Sequence, residues 1–258
     1  MWDPAIYHRY GAERSRPFFD LVARIRADDP REVVDLGCGP GELTTTLAER
    51  WPGARVLGRD SSPEMIAKAS ALGSPASFRV GDLAEWRPGP ATDVVVTNAA
   101  LQWVSGHREL ISGWARELPG GAWFAMQVPG NFGAPSHRAL REVARSGPYA
   151  DVVGDLTREA PVDDAVGYAA LLQDLGATVD AWETTYVHLL PDTGAEHPVL
   201  RWMEGTALRP VKAALDEAAW RAFRAALGAK LAADYPARSG HVAFPFRRIF
   251  IVAQMAHI

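Results

Sequence analysis

The sequence contains one cysteine, Cys38, among 258 residues. A single cysteine cannot form an internal disulfide or a cysteine metal cluster, and this scarcity is typical of a reducing compartment. A basic excess is also absent, since 27 lysines and arginines stand against 31 aspartates and glutamates, for a formal net charge of −4. Nucleic-acid-binding proteins usually carry such an excess. We therefore expect no nucleic-acid partner and no bound metal.

Long uncharged apolar stretches are missing as well. No run approaches the ~18 residues that a membrane helix needs. The first residues, MWDPAIYHRYGAERSRP, are charged and aromatic and lack the apolar centre of a signal peptide. We therefore expect a cytoplasmic protein without membrane contact. The apolar fraction of 48% and the charged fraction of 22% are ordinary for a globular protein, and the length predicts a single domain over 1–258.

Strands and helices alternate through the first half of the chain. Short apolar runs such as VVDL and DVVVTN predict strands buried on both faces. The segments RPFFDLVARIRAD (16–28), GELTTTLAERW, SPEMIAKASAL and HRELISGWARELP have helical spacing. With two later strands, TVDAWETTYVHLL and FRRIFIVAQMA, the pattern predicts an α/β fold with a doubly wound, mostly parallel, seven-stranded sheet of the Rossmann-like kind.

A long helical segment separates the two late strands. It contains the patterns EHPVLRWMEGTAL and PVKAALDEAAWRAFRAALGAKLAADY. At about 55 residues it far exceeds the 2–6 residues of an ordinary connection. Long insertions of this kind often cover a ligand site. We therefore expect residues 190–245 to form a helical cap over the substrate.

Three glycines follow the first strand, in DLGCGPGEL. This loop lets the backbone approach a ligand closely and offer its amide N–H groups. A dinucleotide fold would need a third glycine where Glu42 stands, and a carboxylate there would repel a pyrophosphate. Asp35, just before the loop, favours a ligand with positive charge. The pattern resembles the first motif of the class I S-adenosylmethionine-dependent methyltransferases, whose cofactor carries a sulfonium and an α-amino group.

Polar residues end the next three strands as well. Asp60 is placed to accept hydrogen bonds from ribose hydroxyls, Asp82 and the Leu83 backbone N–H are placed for an adenine, and Asn98 ends the fourth strand. Arg16 could reach the cofactor carboxylate or pair with Glu13 on the surface. The predicted cofactor contacts are Arg16, Asp35, Gly37, Gly39, Gly41, Asp60, Ser61, Asp82, Leu83 and Asn98.

From end to end the chain resembles the trans-aconitate methyltransferases. The resembling segments are WDPAIYHRYGAERSRP, DLGCGPGEL, NAALQWV, MQVPGNFGAPSH, VDAWETTYVHLL, WMEGTALRP and FPFRRIF. The resemblance implies methyl transfer from S-adenosylmethionine to one carboxylate of trans-aconitate or a related polycarboxylate, forming a monomethyl ester. It also implies that residues 1–29 form a helical segment over the cofactor.

A carboxylate acceptor makes modest chemical demands. Its pKa near 4 makes it an anion at neutral pH, so no general base is required and positioning supplies the catalysis. Arginine forks suit the remaining carboxylates, and we expect Arg248 and His137 to neutralise them. Strand alternation sends Arg247 and Arg248 to opposite faces. The expected substrate contacts are Tyr7, Gln127, Asn131, His137, Tyr186, Thr206 and Arg248, most of them implied by the resemblance.

Other functions remain open at this point. A carboxyl methyltransferase acting on malonyl-carrier protein or on a natural-product acid would show similar motifs. A basic surface patch would favour the carrier-protein reading, because such a carrier is acidic. A non-catalytic S-adenosylmethionine-binding module is the alternative from another class, whereas Glu42 opposes a nicotinamide oxidoreductase. We expect a monomer or a weak homodimer.

Overall fold

The structure, a computed structural model, describes residues 15–157, 159 and 161–257. Within these residues the chain forms one mixed sheet in the order β3-β2-β1-β4-β5-β7-β6. The pairs β1–β2, β1–β4, β2–β3 and β4–β5 are parallel, and β7 runs antiparallel to β5. The strands are β1 (Glu32–Leu36), β2 (Arg55–Asp60), β3 (Ser77–Val80), β4 (Thr92–Asn98), β5 (Trp123–Pro129), β6 (Thr178–Pro191) and β7 (His241–Gln254). The predicted fold class is confirmed.

Helices connect the strands. They are α1 (Arg16–Val22), α2 (Glu42–Arg50), α3 (Pro63–Ser70), α4 (His107–Glu117), α5 (Pro135–Ser146), α6 (Ala150–Val153), α7 (Ala165–Gln173), α8 (Pro198–Glu204), α9 (Arg209–Ala214) and α10 (Glu217–Asp234), with 3₁₀ turns at Leu101–Trp103 and Gly154–Leu156. Among the described residues, none of these helices combines the length and the apolar character needed to cross a bilayer.

The first helix is shorter than its sequence pattern predicts. It ends at Val22 instead of residue 28, because the Arg50 guanidinium takes up the carbonyls that end it. Arg50 Nη1 donates to Val22 O at 3.0 Å, and Nη2 donates to Ile25 O at 2.7 Å. A long-range side chain thus satisfies carbonyls that a continuing helix would have used.

Two further elements differ from prediction. The segment after β5, which is not among the predicted helices, forms the twelve-residue helix α5, with Pro135 in its first turn. The long pattern from Pro210 onward is two helices, because Asp216 accepts a hydrogen bond from Ala219 N at 2.8 Å and starts α10 afresh. An aspartate cap of this kind is a common helix start.

The chain divides into two compact units. The first comprises the described residues up to Pro129, together with 162–184 and 248–257. Its core lies on the sheet and includes the fully buried Trp114 and Phe124. The second comprises 130–161 and 185–247, and its core includes Phe223 and Phe244. The second unit therefore contains α5 in addition to the whole of the predicted cap segment 190–245. That these residues cover a substrate stays a prediction.

Candidate functional site

Polar side chains meet at the carboxyl ends of the parallel strands in the first unit. Asp35 of β1 is in register with Gly58 of β2 and with Val96 of β4. Because side chains alternate along a strand, Asp60 and Asn98, two residues further on, share the face of Asp35. The predicted strand-end residues of β1, β2 and β4 are thus brought to one face at one edge of the sheet, where open α/β sheets bind ligands.

The three positions of the loop require glycine for different structural reasons. Gly37, Gly39 and Gly41 have φ of +80°, +55° and +86°, a region that L side chains rarely adopt. A Cβ at Gly37 would collide with the Cβ of Ala100, and one at Gly41 would lie 2.6 Å from the Cβ of Ala69. A Cβ at Gly39 would meet no described atom within 4 Å. Packing therefore accounts for Gly37 and Gly41, whereas Gly39 leaves open space beside the backbone.

These glycines carry a prediction with an internal control. Gly37→Ala is expected to destabilise the chain by about 2–4 kcal/mol, because backbone strain coincides with a clash against the Cβ of Ala100, which cannot rotate away. Gly39→Ala is expected to reduce the free energy of unfolding by only about 1 kcal/mol. Its loss of affinity for S-adenosylhomocysteine, relative to its loss of stability, is nevertheless expected to exceed that of Gly37→Ala. Thermal unfolding and calorimetric titration of both variants measure this. Equal stability losses would contradict the packing difference.

Asp35 is a buried carboxylate beneath the loop. It is 3% exposed and accepts a hydrogen bond from Thr44 Oγ1 at 2.6 Å. Burial raises the pKa of the Asp35 carboxyl to about 6, the Thr44 hydrogen bond opposes that rise, and the charge of Asp60 adds to it. A buried anion of this kind calls for a cationic partner, as the α-amino group of the predicted cofactor would be.

Thr44 was not predicted from the sequence, although a signal was present. It lies in the run TTT inside α2, and threonine is an uncommon choice for a helix interior. Burial explains the choice, since Thr44 is fully buried and its hydroxyl faces Asp35. Cys38 is buried in the same loop. Burial and then the charges of Asp35 and Asp60 raise the pKa of its thiol, so Cys38 is no thiolate nucleophile.

Asp60 joins the glycine loop to the end of β2. Its Oδ2 accepts from Gly39 N and its Oδ1 accepts from Ser62 N, both at 2.9 Å. Each oxygen keeps a further acceptor position, so ribose hydroxyls can still be bound. Ser61 is exposed at this rim, and Ser62 caps α3 by accepting from Met65 N. Asp60 therefore connects the glycine loop to the start of α3 and is also a predicted cofactor contact.

The remaining predicted cofactor contacts are less distinctive. Asp82 is exposed and accepts from Ala84 N at 2.9 Å, which forms a local turn after β3. Leu83 is 8% exposed and belongs to the core. Arg16 is exposed and lies 3.8 Å from Asp20 on α1, while Glu13 lies outside the described residues. Adenine contacts at Asp82 and Leu83 stay predictions.

Side chains at the carboxyl ends of β4 and β5 and in the middle of β7 form a second polar group in the same unit. Asn98 pairs in register with Gln127, and Arg248 Nη1 donates to Gln127 Oε1 at 3.4 Å. Asn98 Oδ1 and Gln127 Nε2 are buried with no hydrogen-bond partner in the described part of the chain. Ala99, directly after β4, has φ +55°, a strained conformation that clusters at functional sites. Buried amide atoms without a partner in the described part of the chain are suited to binding a ligand.

The other predicted substrate contacts lie in the second unit. Asn131 is buried, and its Nδ2 lies 3.5 Å from His137 Nδ1 in the first turn of α5. Tyr186 is buried on β6, and the Thr206 hydroxyl lies 3.3 Å from Met203 O. Tyr7 lies outside the described residues. Contacts of these side chains with a substrate stay predictions.

Burial sets the charge of His137 in the unliganded chain. Burial, and then the charge of Arg141, lower the pKa of His137 to about 4. The imidazole is therefore neutral near pH 7 in the unliganded chain, and the neutralisation of a substrate carboxylate by His137 stays a prediction. The sequence did not show this, because residue identity does not reveal burial, and the His137 side chain is only 9% exposed.

The strand order, the antiparallel β7 and the glycine loop after β1 define the class I methyltransferase fold. Residues 33–121 match the model of the methyltransferase domain family. The chain is similar in fold to the YcgJ protein of Bacillus subtilis, with a TM-score of 0.59 at 15% identity, over 96% of this chain and 100% of that one.

Close relatives define the family. The chain is 55% identical to a trans-aconitate 2-methyltransferase of Mycolicibacterium gilvum, over 99% of both chains. It is 53% identical to one of Rhodococcus jostii, over 99% of this chain and 100% of the relative. The chain belongs to the trans-aconitate 2-methyltransferase family. The resemblance predicted from the sequence segments is confirmed.

Proposed function

We propose that the chain is an S-adenosylmethionine-dependent carboxyl O-methyltransferase that forms the monomethyl ester of trans-aconitate. The observation that carries this proposal is the full-length identity of 50–55% with relatives of that name. Such identity extends beyond the glycine loop, which many methyltransferases share, into both late strands and the helices between them.

The first unit offers the groups that the cofactor requires. Asp35 supplies a buried negative charge, Gly39 leaves open space beside its backbone, and Asp60 keeps free acceptor positions. A nucleoside with a cationic amino-acid end fits this set, whereas a pyrophosphate does not, because Asp35, Asp60 and Glu42 would repel it. When bound, the cofactor supplies an electrophilic methyl group.

The acid requires anchoring and exclusion of water. Its reacting carboxylate is already ionised at neutral pH, so no proton has to be removed before transfer. Arg248 is a charged donor in the middle of β7, opposite the last residue of β5, and its contact with Gln127 places it on the face that carries Asn98. When the non-reacting carboxylates of the acid are bound, one oxygen of the reacting carboxylate is left aligned and poorly solvated. Such positioning accelerates a displacement reaction. Arg248 is the proposed anchor.

A direct assay tests the proposal. Methyl-labelled S-adenosylmethionine would be incubated with trans-aconitate, cis-aconitate, isocitrate or malonyl-carrier protein, and the ester products would be counted and identified. We expect efficient labelling of trans-aconitate alone. Labelling of the carrier protein would replace this proposal with the carrier-protein alternative. Cofactor binding without labelling of any of these acceptors would rule out trans-aconitate as the substrate.

The proposed enzyme acts on a small free acid and requires no protein partner for that reaction. We expect it to be a monomer or a weak homodimer, which sedimentation across a concentration series would measure.

A further inference from the structure

Gln127 combines deep burial with an unused hydrogen-bond donor. It lies on β5 and is 1% exposed, and its Nε2 has no acceptor among the described residues. The carboxamide has a defined orientation, because a guanidinium can only donate, so the Gln127 oxygen contacts Arg248 and the nitrogen is left for another partner. Buried amide donors are almost always paired in folded proteins. A vacant one beside a cationic side chain is suited to an anionic ligand.

Sheet register brings Gln127 and Arg248 together. Gln127 pairs with Phe250 and Pro129 pairs with Arg248 across the antiparallel β5–β7 ladder. Gln127 and Arg248 are therefore diagonal neighbours on one face, within the reach of long side chains. Their separation of 3.4 Å is loose for a hydrogen bond, which leaves room to tighten when a ligand engages both groups.

Donors and acceptors are separated along this edge of the first unit. Asp35, Asp60 and the vacant Asn98 Oδ1 are acceptors on β1, β2 and β4. Gln127 Nε2 and the Arg248 guanidinium are donors on β5 and β7. The acceptor side suits a cation and ribose hydroxyls, and the donor side suits an anion. The boundary between the acceptor side and the donor side lies between Asn98 and Gln127, which are paired in the adjacent strands β4 and β5.

We propose that Gln127 is a specificity-determining and positioning residue of the acid site: its Oε1 orients the Arg248 guanidinium, and its Nε2 donates to a carboxylate of the bound acid. The inference rests on the proposed function. Two adjacent donors, one of them charged, match the two oxygens of a planar carboxylate. Oxygens held in this way are poor nucleophiles, so this carboxylate is the anchor and a different one is esterified.

Three dicarboxylates test the assignment, since each lacks one carboxylate of trans-aconitate: itaconate, glutaconate and mesaconate. Affinities would be measured by calorimetry with S-adenosylhomocysteine present, or by competition with trans-aconitate where binding is weak. Gln127→Met removes both amide functions at similar volume. We expect it to weaken trans-aconitate binding by about 10- to 100-fold, the range for a hydrogen bond to a charged group. The same loss should appear for two dicarboxylates and vanish for the third, which lacks the anchored group.

The control is Gln254→Met on β7. Gln254 is in register with Trp123 at the opposite end of β5, and its Nε2 donates to Gly121 O. It should leave acid affinity unchanged, and both variants should bind S-adenosylhomocysteine like the parent chain. If the methionine variant does not fold, Gln127→Glu replaces it in the same measurements. The negative charge of the glutamate should repel the acid and weaken its binding further.

The outcomes are separable. A uniform loss over all four acids would show a purely structural role and overturn the inference, as would unchanged affinity in Gln127→Met. Failure of the unmodified chain to bind or methylate trans-aconitate would instead overturn the proposed function. The inference is supported if Gln127→Met loses trans-aconitate affinity but binds one dicarboxylate as tightly as the unmodified chain, and the unmodified chain methylates that dicarboxylate. The carboxylate which that compound lacks is then the anchored one.

Discussion

Arg248→Ala is expected to raise the KM for trans-aconitate by about 100-fold or more, because removing one partner of a desolvated ion pair typically costs 2–5 kcal/mol. Affinity for S-adenosylhomocysteine should stay within about twofold of the parent value, since Arg248 lies on the β5–β7 side of the site, away from the acceptor groups of β1 and β2. Steady-state kinetics and calorimetric titration measure the two quantities separately.

The adjacent arginine is a matched control for this result. Arg247 is exposed, points to the other face of β7, and accepts a hydrogen bond from Gly130 N through its backbone carbonyl, which alanine retains. Arg247→Ala should therefore leave the KM nearly unchanged. Arg248→Lys should recover part of the affinity, since the charge remains but the planar fork is lost. If Arg248→Ala abolished cofactor binding instead, the arginine would belong to the cofactor site.

Asp35→Asn is expected to change stability and cofactor binding in opposite directions. The Asp35 pKa of about 6 lies above its ordinary value of 3.8, so the folded chain holds this proton more tightly than the unfolded chain. The stability contributed by protonated Asp35 is present at low pH and is lost as pH rises from about 4 to 6. At pH 7.5 the ionised group therefore costs about 3 kcal/mol. Asparagine removes that cost and can still accept from Thr44.

We therefore expect Asp35→Asn to unfold several degrees higher than the parent chain at pH 7.5. Its affinity for S-adenosylmethionine should fall by about 100-fold, because the cofactor ammonium loses its buried counter-charge. In the parent chain, cofactor affinity should decline below pH 6 as Asp35 becomes protonated, and the variant should lack this pH dependence. Scanning calorimetry and titrations between pH 5 and 8 would show both effects.

Asp93→Asn provides the comparison for Asp35→Asn. Asp93 lies near the start of β4 and pairs with Arg31, which lowers the pKa of Asp93. Its replacement should reduce stability slightly and leave cofactor affinity unchanged. A less stable Asp35→Asn variant with normal cofactor affinity would show that Asp35 only supports the loop and does not bind the ligand.

Local patterns were sufficient for much of the fold. The apolar runs of β1 and β4 and the glycine spacing of the loop identified the parallel sheet and its ligand-binding edge, because strand burial and turn conformation depend mainly on near neighbours in sequence. The resembling segments identified the family for the same reason, since they can be read residue by residue. The boundaries failed where a distant group intervened, as Arg50 does at the end of α1.

By itself, then, the sequence determined the strand-and-helix order, the residue types at the strand ends and the family. Only the tertiary structure decided that Thr44 supports a buried Asp35, that burial makes His137 neutral in the unliganded chain, and that Gln127 contacts Arg248 while its own donor has no partner among the described residues. Each of these depends on strand register and on the exclusion of water, which arise from contacts between residues far apart in the chain. Charge states and hydrogen-bond vacancies follow from such contacts, and residue identity alone does not contain them.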